Sequence, residues 1–210
     1  MRRVSGVDGA NRCETLILGG TKFLGRHLAR ALTERGHATA TFTRGKTPGD
    51  ETIASMRFVG DRLGDLSALP REGWDAVIDT SGYIPADVAA SSAHLATTGR
   101  YLFTSSLSVY DASGEVVGDG LAPYVPRVAS LADDEPENYG PSKRRCEDVV
   151  RAVFDDRAVI VRPGLLVGPC DPTNRFTYWV DRFADGGDVA VPGAPNATSS
   201  LSTCEMWRRF

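Results

Sequence analysis

One segment near the start of the chain restricts the fold more than any other, because it predicts a strand, a tight turn and a helix in succession. Residues 15–18 are apolar or β-branched and run into Gly19, and apolar residues at helical spacing follow over 24–32. Gly36 then stands where a helix commonly ends in a left-handed residue. The folded part of the chain therefore begins with a strand–turn–helix unit.

The same alternation continues along the sequence. We predict further strands at 38–43, 56–59, 76–79, 101–104 and 158–161, and helices at 63–69, 86–97 and 142–154. Residues 111–137 show no period and predict a long loop, which in a compact domain usually has a function. Apolar strands that alternate with helices favour a doubly wound α/β fold, in which a parallel sheet is covered on both faces, as in the Rossmann fold.

The composition is that of a soluble globular protein. The chain has 210 residues, of which 41% are hydrophobic and 24% charged, and this length suits one domain or one domain and part of a second. Its net charge of −3 gives no indication of a nucleic-acid partner or an acidic membrane surface. No apolar run is long enough to span a membrane, and residues 1–14 lack the apolar segment of a signal peptide, so we expect a cytoplasmic protein.

The four cysteines are widely scattered, at Cys13, Cys146, Cys170 and Cys204. Neither their spacing nor that of the histidines matches a metal-binding cluster, so we predict no metal site. In a reducing compartment the cysteines are expected to be free thiols.

A turn between a strand and a helix can bind a pyrophosphate, because backbone N–H groups and the helix dipole point at the anion. In the Gly-Gly-x-x-x-x-Gly pattern, Gly19 allows the tight turn and Gly25 allows the helix to pack close to the sheet. Lys22 replaces the usual middle glycine and either pairs with a phosphate or narrows the site; a plain strand–helix turn is the alternative. The candidate cofactor-binding residues of the turn are Gly19, Gly20, Thr21, Lys22, Phe23, Leu24 and Gly25. We predict that the cofactor is NADP or NAD.

The end of the second strand distinguishes these two cofactors. NAD-binding proteins tend to carry Asp or Glu there for the ribose hydroxyls, whereas an arginine suits the 2′-phosphate of NADP. Arg44 follows the strand, and no acidic residue lies between the end of the strand and Asp50. We therefore predict that Arg44 contacts this phosphate; the alternative is a solvated surface arginine. Asp61, after the third strand, either meets the adenine or serves as a turn aspartate.

A tyrosine and a lysine four residues apart form the candidate catalytic pair. At the start of a helix, Tyr139 and Lys143 lie on one face, and a nearby ammonium favours the phenolate and lowers the tyrosine pKa. Ser106 follows the fifth strand, and ligands bind at the carboxyl ends of strands in such a sheet. Its hydroxyl is placed to orient a substrate carbonyl or hydroxyl group beside the tyrosine. The alternative for Tyr139 and Lys143 is an ordinary surface pair.

These motifs together resemble a known family. Residues 19–25, 103–110 and 162–169, with Tyr139 and Lys143, look like the NAD-dependent epimerase/dehydratase group of extended short-chain dehydrogenases/reductases, and the resemblance runs from about residue 15 to residue 193. The glycine pattern is similar to an atypical subgroup, which includes reductases, epimerases and chloroplast stem-loop RNA-binding relatives.

The resemblance implies specific roles. Tyr139 would be the acid–base, and Lys143 would hold the nicotinamide ribose and depress the tyrosine pKa. Ser106 would polarise the substrate, and Pro163 and Gly164 would line the nicotinamide side. Members of the family often pair through the helix that carries the tyrosine, so a homodimer is implied by analogy.

The fourth strand is followed by a departure from the family pattern, which usually has a segment of the His-x-Ala-Ala or Asn-Ala-Gly type there. The small residues Ser81 and Gly82 would still let the cofactor pass. Tyr83 either faces the substrate or packs as an ordinary aromatic residue.

On this resemblance the chain divides into four parts: a loose extension over 1–13, a nucleotide-binding Rossmann domain over 14–168, the start of a substrate lobe over 169–195, and an aberrant tail over 196–210. Codons that can encode the tail read, in a shifted frame, as a stretch typical of the family at this point. We therefore interpret the tail as frameshifted and the substrate lobe as incomplete.

The leading functional interpretation is an NAD(P)-dependent reductase or epimerase/dehydratase that acts on a carbonyl or hydroxyl compound, such as a nucleotide sugar. One alternative is an RNA-binding relative without redox chemistry, for which the basic cluster over 143–145 is the available support. The other is a truncated cofactor-binding remnant with little activity, because an open cleft would not exclude water.

Overall fold

The structure is a computed structural model, and it describes residues 12–47, 54–111, 123–191 and 201–204. The positions outside the described residues include Asp50, the predicted extension up to residue 11, residues 112–122 of the predicted loop, and 192–200 and 205–210.

Within the described residues, six strands form one parallel sheet. They are β1 (Glu14–Leu18), β2 (Ala38–Thr43), β3 (Met56–Val59), β4 (Ala76–Asp79), β5 (Arg100–Thr104) and β6 (Ala158–Val161). Their order across the sheet is β3-β2-β1-β4-β5-β6. The helices are α1 (Phe23–Glu34), α2 (Pro85–His94), α3 (Tyr139–Phe154) and α4 (Thr177–Ala184). A separate short sheet pairs β7 (Leu165–Val167) in parallel with β8 (Leu201–Thr203).

Alternate residues of β1 enter two different cores, which places helices on both faces of the sheet. Leu16 and Leu18 belong to the larger core, beneath α2 and α3, where the rings of Tyr101 and Phe154 stack with their centroids 4.3 Å apart. Ile17 packs in the smaller core beneath α1. Each such buried apolar side chain contributes roughly 1.5–3 kcal/mol to stability. This architecture confirms the predicted doubly wound α/β fold.

The predicted helix over 63–69 is wrong, since the chain forms bends and turns there. The carboxylate of Asp61 accepts a hydrogen bond from the Leu63 N–H at 3.2 Å. The carboxylate of Asp65 accepts one from the Ser67 N–H at 2.8 Å. Short acidic side chains offer the backbone a local partner in this way, and therefore favour turns over helix.

Other differences from the predicted elements lie at their ends. α2 begins at Pro85 and ends at His94, and α3 begins at Tyr139 rather than at residue 142. Proline is tolerated in the first turn of a helix, so Pro141 does not delay the start of α3. Leu201–Thr203, within the tail over 196–210 that is predicted to be aberrant, pairs with β7.

Membrane-spanning helices and metal clusters are both absent from the described ranges. No helix there combines the length and the apolar character that crossing a membrane requires. Nor do His, Cys, Asp and Glu side chains of these ranges gather into a group of three that suits a metal ion.

Candidate active site

The glycine turn after β1 passes directly against the segment that follows β4. Gly19 has a φ of +92°, a conformation that favours glycine, and its N–H donates to the Phe42 carbonyl at 3.0 Å. A Cβ placed on Gly19 would lie 2.7 Å from both the Cβ and the Oγ of Ser81. Any larger residue at position 19 would therefore displace the turn from its neighbour.

The start of α1 has the backbone features that an anion site requires. A Cβ on Gly25 would overlap the carbonyl oxygen of Gly19, so the helix begins in close contact with the turn. Lys22 precedes the helix and makes no side-chain capping hydrogen bond to it, and its own side chain is exposed. The helix dipole and the first N–H groups thus face the turn without a capping side chain, which suits the phosphates of a dinucleotide.

Phe23, the first residue of α1, has a positive φ of 27°. Such a conformation is uncommon for a residue other than glycine, and it is concentrated at functional sites. Phe23 lies between Lys22 and the buried Leu24, in the middle of the candidate phosphate turn.

Arg44 and Asp61 lie beyond the carboxyl ends of β2 and β3, and both are exposed. Asp61 accepts the Leu63 N–H described above, so it does act as a turn aspartate. The structure places both residues on the β1–β2–β3 side of the sheet, apart from Tyr139 and Lys143, which contact the β4–β5 side.

Lys143 is the buried charge of the site. Its Nζ donates to the carbonyl oxygens of Gly82 at 2.7 Å and Thr104 at 2.8 Å, which joins α3 to the carboxyl ends of β4 and β5. It also lies 4.8 and 4.9 Å from the ring centroids of Tyr83 and Phe103. Burial lowers the pKa of Lys143 to about 8, although the Asp79 carboxylate acts in the opposite direction.

Tyr139 lies one helical turn before Lys143, at the mouth of the site. Its side chain is partly exposed, and its ring centroid is 5.9 Å from the Lys143 Nζ. Burial raises its pKa above the ordinary value, and hydrogen bonding to Ser106 lowers it in part. This direction is opposite to the depression expected from a neighbouring ammonium, because desolvation dominates and Lys143 is engaged with carbonyl groups. The phenol is therefore protonated at neutral pH.

A glycine that the sequence analysis did not single out brings Tyr139 to Ser106. A Cβ on Gly140 would overlap the carbonyl oxygen of Ser108, so α3 begins in contact with the short 3₁₀ helix after β5. Ser106 caps that short helix by accepting the Ser108 N–H at 3.1 Å. The next residue, Leu107, donates its N–H to the Pro163 carbonyl at 3.0 Å.

The structure thus brings together most of the predicted site residues. Ser81 contacts the glycine turn, and Gly82 accepts a hydrogen bond from Lys143. The turn that carries Ser106 is hydrogen-bonded to the turn that carries Pro163 and Gly164. Tyr83 is largely exposed, and its ring centroid lies 6.4 Å from that of Tyr139, at the edge of the site.

A buried ion pair below the glycine turn was missed by the sequence analysis. Arg62 donates to both carboxylate oxygens of Asp79, at 2.6 and 2.9 Å, and to the Ser81 Oγ at 2.9 Å. Tyr101 donates its hydroxyl to the same carboxylate at 3.0 Å. The sequence does contain a signal for this pair, because Asp79 is the last residue of an otherwise apolar strand. A buried charge requires a partner, so a nearby basic residue could have been expected.

A second buried pair joins α3 to the end of β6. Arg162 donates from Nε and from a terminal nitrogen to the two carboxylate oxygens of Glu147, at 2.9 Å in each case. The guanidinium of Arg162 also lies 5.1 and 5.2 Å from the ring centroids of Tyr110 and Tyr124, which stack on each other. Arg162 therefore contacts both tyrosines, which lie on either side of residues 112–122, outside the described part of the chain.

The basic cluster over 143–145 does not form an exposed stripe. Lys143 is buried, and Arg144 is half-buried, donates to the Val125 carbonyl and covers the Tyr124 ring. The surface that these residues offer to a nucleic acid is correspondingly small.

A comparison with family models identifies the chain. The model of the NAD dependent epimerase/dehydratase family matches residues 15–202. The chain belongs to that family. Membership confirms the resemblance inferred from the glycine turn and the Tyr-x-x-x-Lys motif, and the family description confirms a nicotinamide cofactor as a class.

Among the curated relatives, one is named as a reductase and another for binding a stem-loop. The ceramide reductase of Caulobacter vibrioides is 35% identical over 161 residues, which cover 74% of this chain and 47% of the relative. The chloroplast stem-loop binding protein of 41 kDa b from Arabidopsis thaliana is 27% identical over 211 residues, which cover 93% of this chain and 53% of the relative. The chain thus spans about half the length of the curated relatives it matches.

Solved structures agree on the fold. WbmG from Bordetella bronchiseptica, determined with NAD and UDP, matches with a TM-score of 0.74 at 16% identity, over 95% of this chain and 67% of that one. MoeE5, determined with UDP-glucuronic acid and NAD, matches with a TM-score of 0.68 at 19% identity, over 93% of this chain and 70% of that one. At these identities the likeness establishes the doubly wound fold.

Proposed function

We propose that the chain is an NAD(P)-dependent reductase or epimerase/dehydratase that acts on a carbonyl or hydroxyl compound, with nucleotide sugars as one candidate substrate class. The observation that carries the proposal is the position of Lys143, buried at the carboxyl ends of β4 and β5 with Tyr139 one helical turn before it. A reductase among the relatives and UDP-sugar-bound structures among the neighbours support the same reaction class.

The residues present fit a dinucleotide. The turn from Gly19 to Gly25 and the uncapped start of α1 would hold the phosphates, and Arg44 would hold a 2′-phosphate. The rest of the cofactor would lie between two segments. One contains Ser81 and Gly82, and the other contains Pro163 and Gly164 on the nicotinamide side. When bound, the nicotinamide supplies or accepts the hydride.

Tyr139 is the acid–base of the proposed reaction. In the direction of reduction, its neutral phenol donates a proton to the carbonyl oxygen as that oxygen becomes a hydroxyl group. In the direction of oxidation, the phenolate takes the proton back. Lys143 would hold the nicotinamide ribose, and the Ser106 hydroxyl donates a hydrogen bond to the same substrate oxygen as Tyr139.

RNA binding is the competing function, because a relative is named for binding a stem-loop. The described residues support it less well than they support a cofactor site, since Lys143 is buried and Arg144 is engaged with Val125 and Tyr124. Salt-dependent binding of a stem-loop RNA, without binding of NADPH or NADH, would favour this alternative.

The test combines cofactor titration with turnover. NADPH and NADH are titrated by their fluorescence, and turnover is measured with two substrates. UDP-glucose is bound in a solved structure of MoeE5, and a 2-alkyl-3-oxoalkanoate gives its name to a reductase of Stenotrophomonas maltophilia that is 32% identical over 74% of this chain. Tyr139→Phe should lower kcat by about 10²–10⁴-fold with little change in cofactor affinity, because it removes the transferable proton alone. Tyr124→Phe, at an exposed tyrosine outside the predicted site and substrate lobe, is the matched control. Absence of cofactor binding, or full turnover by Tyr139→Phe, would overturn the proposal; binding without turnover of any substrate would favour a cofactor-binding remnant.

A further inference from the structure

We propose that the buried ion pair of Arg62 and Asp79 is a positioning unit for the cofactor site, which holds Ser81 against the glycine turn and Gly82 against Lys143. The inference rests on the proposed function, since the turn and Lys143 are its cofactor-side groups. Neither residue of the pair is a catalytic residue, because both act through their neighbours.

The Asp79 carboxylate accepts four hydrogen bonds, and the pair is shielded from water. The Asp79 side chain is 0% exposed and that of Arg62 is 9% exposed. Besides the two bonds from Arg62, the carboxylate accepts the Tyr101 hydroxyl at 3.0 Å and the Ser81 N–H at 3.0 Å. Burial acts to raise the pKa of Asp79, but the charge and hydrogen bonds of Arg62 outweigh it and hold the pKa below its ordinary value, so the carboxylate is ionised.

On one side, the pair fixes Ser81. Asp79 accepts the Ser81 backbone N–H, and Arg62 donates to the Ser81 Oγ at 2.9 Å, so both the backbone and the side chain of this serine are held. Ser81 in turn fills the space that a Cβ on Gly19 would need. A displaced Ser81 would let the turn move away from the position that it holds at the start of α1.

On the other side, the pair fixes the acceptor of Lys143. Gly82 directly follows Ser81, and its carbonyl accepts the Lys143 Nζ at 2.7 Å. A Cβ on Gly82 would lie 3.0 Å from the Asp79 carboxylate, so the peptide is in contact with the pair. The groups that face Lys143 are Arg62, Asp79 of β4, Tyr83 after β4, Phe103 of β5, and Tyr139, Cys146 and Glu147 of α3.

Stability alone gives little reason for this pair. Replacing a buried ion pair by neutral side chains of similar shape is often neutral or stabilising, whereas removing one partner is destabilising. A double variant that removes both charges therefore separates a structural role from a positioning role. Arg62→Met/Asp79→Asn keeps the approximate volume, and the amide oxygen that it introduces at the end of β4 is still able to accept the N–H of Ser81.

The chain is suited to a direct readout, because it has three lysines, Lys22, Lys46 and Lys143. After labelling with [¹³C]lysine, the Cε signal of Lys143 is assigned by its absence in Lys143→Met, and the exposed Lys22 and Lys46 serve as internal references. The wild-type signal should titrate near pH 8. In the double variant the midpoint should fall, because Asp79 raises the pKa of Lys143 more than Arg62 lowers it. NADPH affinity should fall by about tenfold in the same variant.

Arg30→Met/Glu34→Gln is the matched control, since it also removes an arginine–carboxylate pair, but an exposed one near the end of α1. It should leave both readouts unchanged. If the double variant does not fold, Arg62→Lys keeps the charge but loses the fork that binds Asp79 and Ser81 together. It should weaken NADPH binding by about tenfold and leave the Lys143 midpoint near its wild-type value.

A folded double variant with wild-type Lys143 titration and wild-type NADPH affinity would overturn the inference, as would wild-type affinity in Arg62→Lys. Failure of the wild-type chain to bind NADPH or NADH would overturn the proposed function instead. The lysine titration does not depend on cofactor, so it still decides whether the pair sets the environment of Lys143.

Discussion

The Nζ of Lys143 donates to the carbonyl oxygen of Gly82 across 2.7 Å, and this bond joins the helix that carries the candidate acid–base to the segment that lies against the glycine turn. The second acceptor of Lys143 is also a neutral carbonyl, that of Thr104. A buried ammonium with neutral acceptors loses more hydration than it regains, which is why the pKa of Lys143 falls to about 8.

This pKa predicts how stability depends on pH. Because the folded-state pKa lies below the unfolded value of about 10.4, the unfolded chain binds more protons between these two values. The free energy of unfolding of the wild-type chain, relative to Lys143→Met, should therefore rise by about 3 kcal/mol from pH 8 to above pH 10. Urea denaturation at a series of pH values measures the difference. A flat difference between the wild-type chain and Lys143→Met over this pH range would contradict the prediction.

The close contact between α1 and the glycine turn predicts the effect of one methyl group. On helix propensity alone, Gly25→Ala would stabilise α1 by about 1 kcal/mol. Overlap with the Gly19 carbonyl should reverse the sign and destabilise the chain by roughly 1–3 kcal/mol, with loss of NADPH affinity. Gly64→Ala, where a Cβ would meet only the Asp61 Cβ at an ordinary 3.6 Å, is the control and should have little effect. Equal stability of the two variants would show that the turn tolerates displacement.

Local patterns were sufficient for the parts of the fold that depend on them. β1 and β5 were predicted because burial on both faces of a parallel sheet requires strands that are apolar throughout. The Gly19–Gly25 turn was predicted because its glycines stand between an apolar strand and a helical pattern. The prediction of a helix over 63–69 was wrong for a local reason. It relied on the spacing of apolar residues and gave too little weight to Asp61 and Asp65, whose side chains stabilise turns.

The parts of the site that the sequence did not predict depend on contacts between distant residues. Arg62 and Asp79 are separated by 17 residues and Glu147 and Arg162 by 15, and neither separation has a characteristic period. Gly140 is required by the position of Ser108, which a single sequence does not reveal. The raised pKa of Tyr139 likewise follows from burial rather than from the motif.

The Glu147–Arg162 pair predicts a loss of stability that depends on pH. Burial opposes ionisation of Glu147, but the hydrogen bonds and charge of Arg162 outweigh it, and the pKa is lowered. Glu147→Gln should cost about 1.5–3 kcal/mol near pH 7, because it removes the negative charge that accepts two hydrogen bonds from the mostly buried Arg162 guanidinium. The stabilisation is present above the unfolded pKa of about 4.3 and is lost as the pH falls through the lower folded pKa, so the difference should shrink in acid.

Arg151→Met is the control for this variant, because Arg151 is half-exposed and contacts Glu147 through one bond of 3.1 Å. It should cost no more than about 1 kcal/mol. Equal losses in Glu147→Gln and Arg151→Met would indicate that the pair with Arg162 contributes nothing specific.

Arg44 predicts a preference between the two cofactors. It is exposed beyond the carboxyl end of β2, where a 2′-phosphate would lie, and a charge-assisted hydrogen bond of this kind is worth about 1.5–3 kcal/mol. Arg44→Ala should therefore weaken NADPH binding by about tenfold or more and change NADH binding by less than about twofold. Because the contact is exposed, the NADPH preference should decrease with ionic strength, and Arg30→Ala, at an exposed arginine later in α1, should change neither affinity. Tighter binding of NADH than NADPH by the wild-type chain, together with unchanged NADPH affinity in Arg44→Ala, would assign Arg44 to the solvated surface.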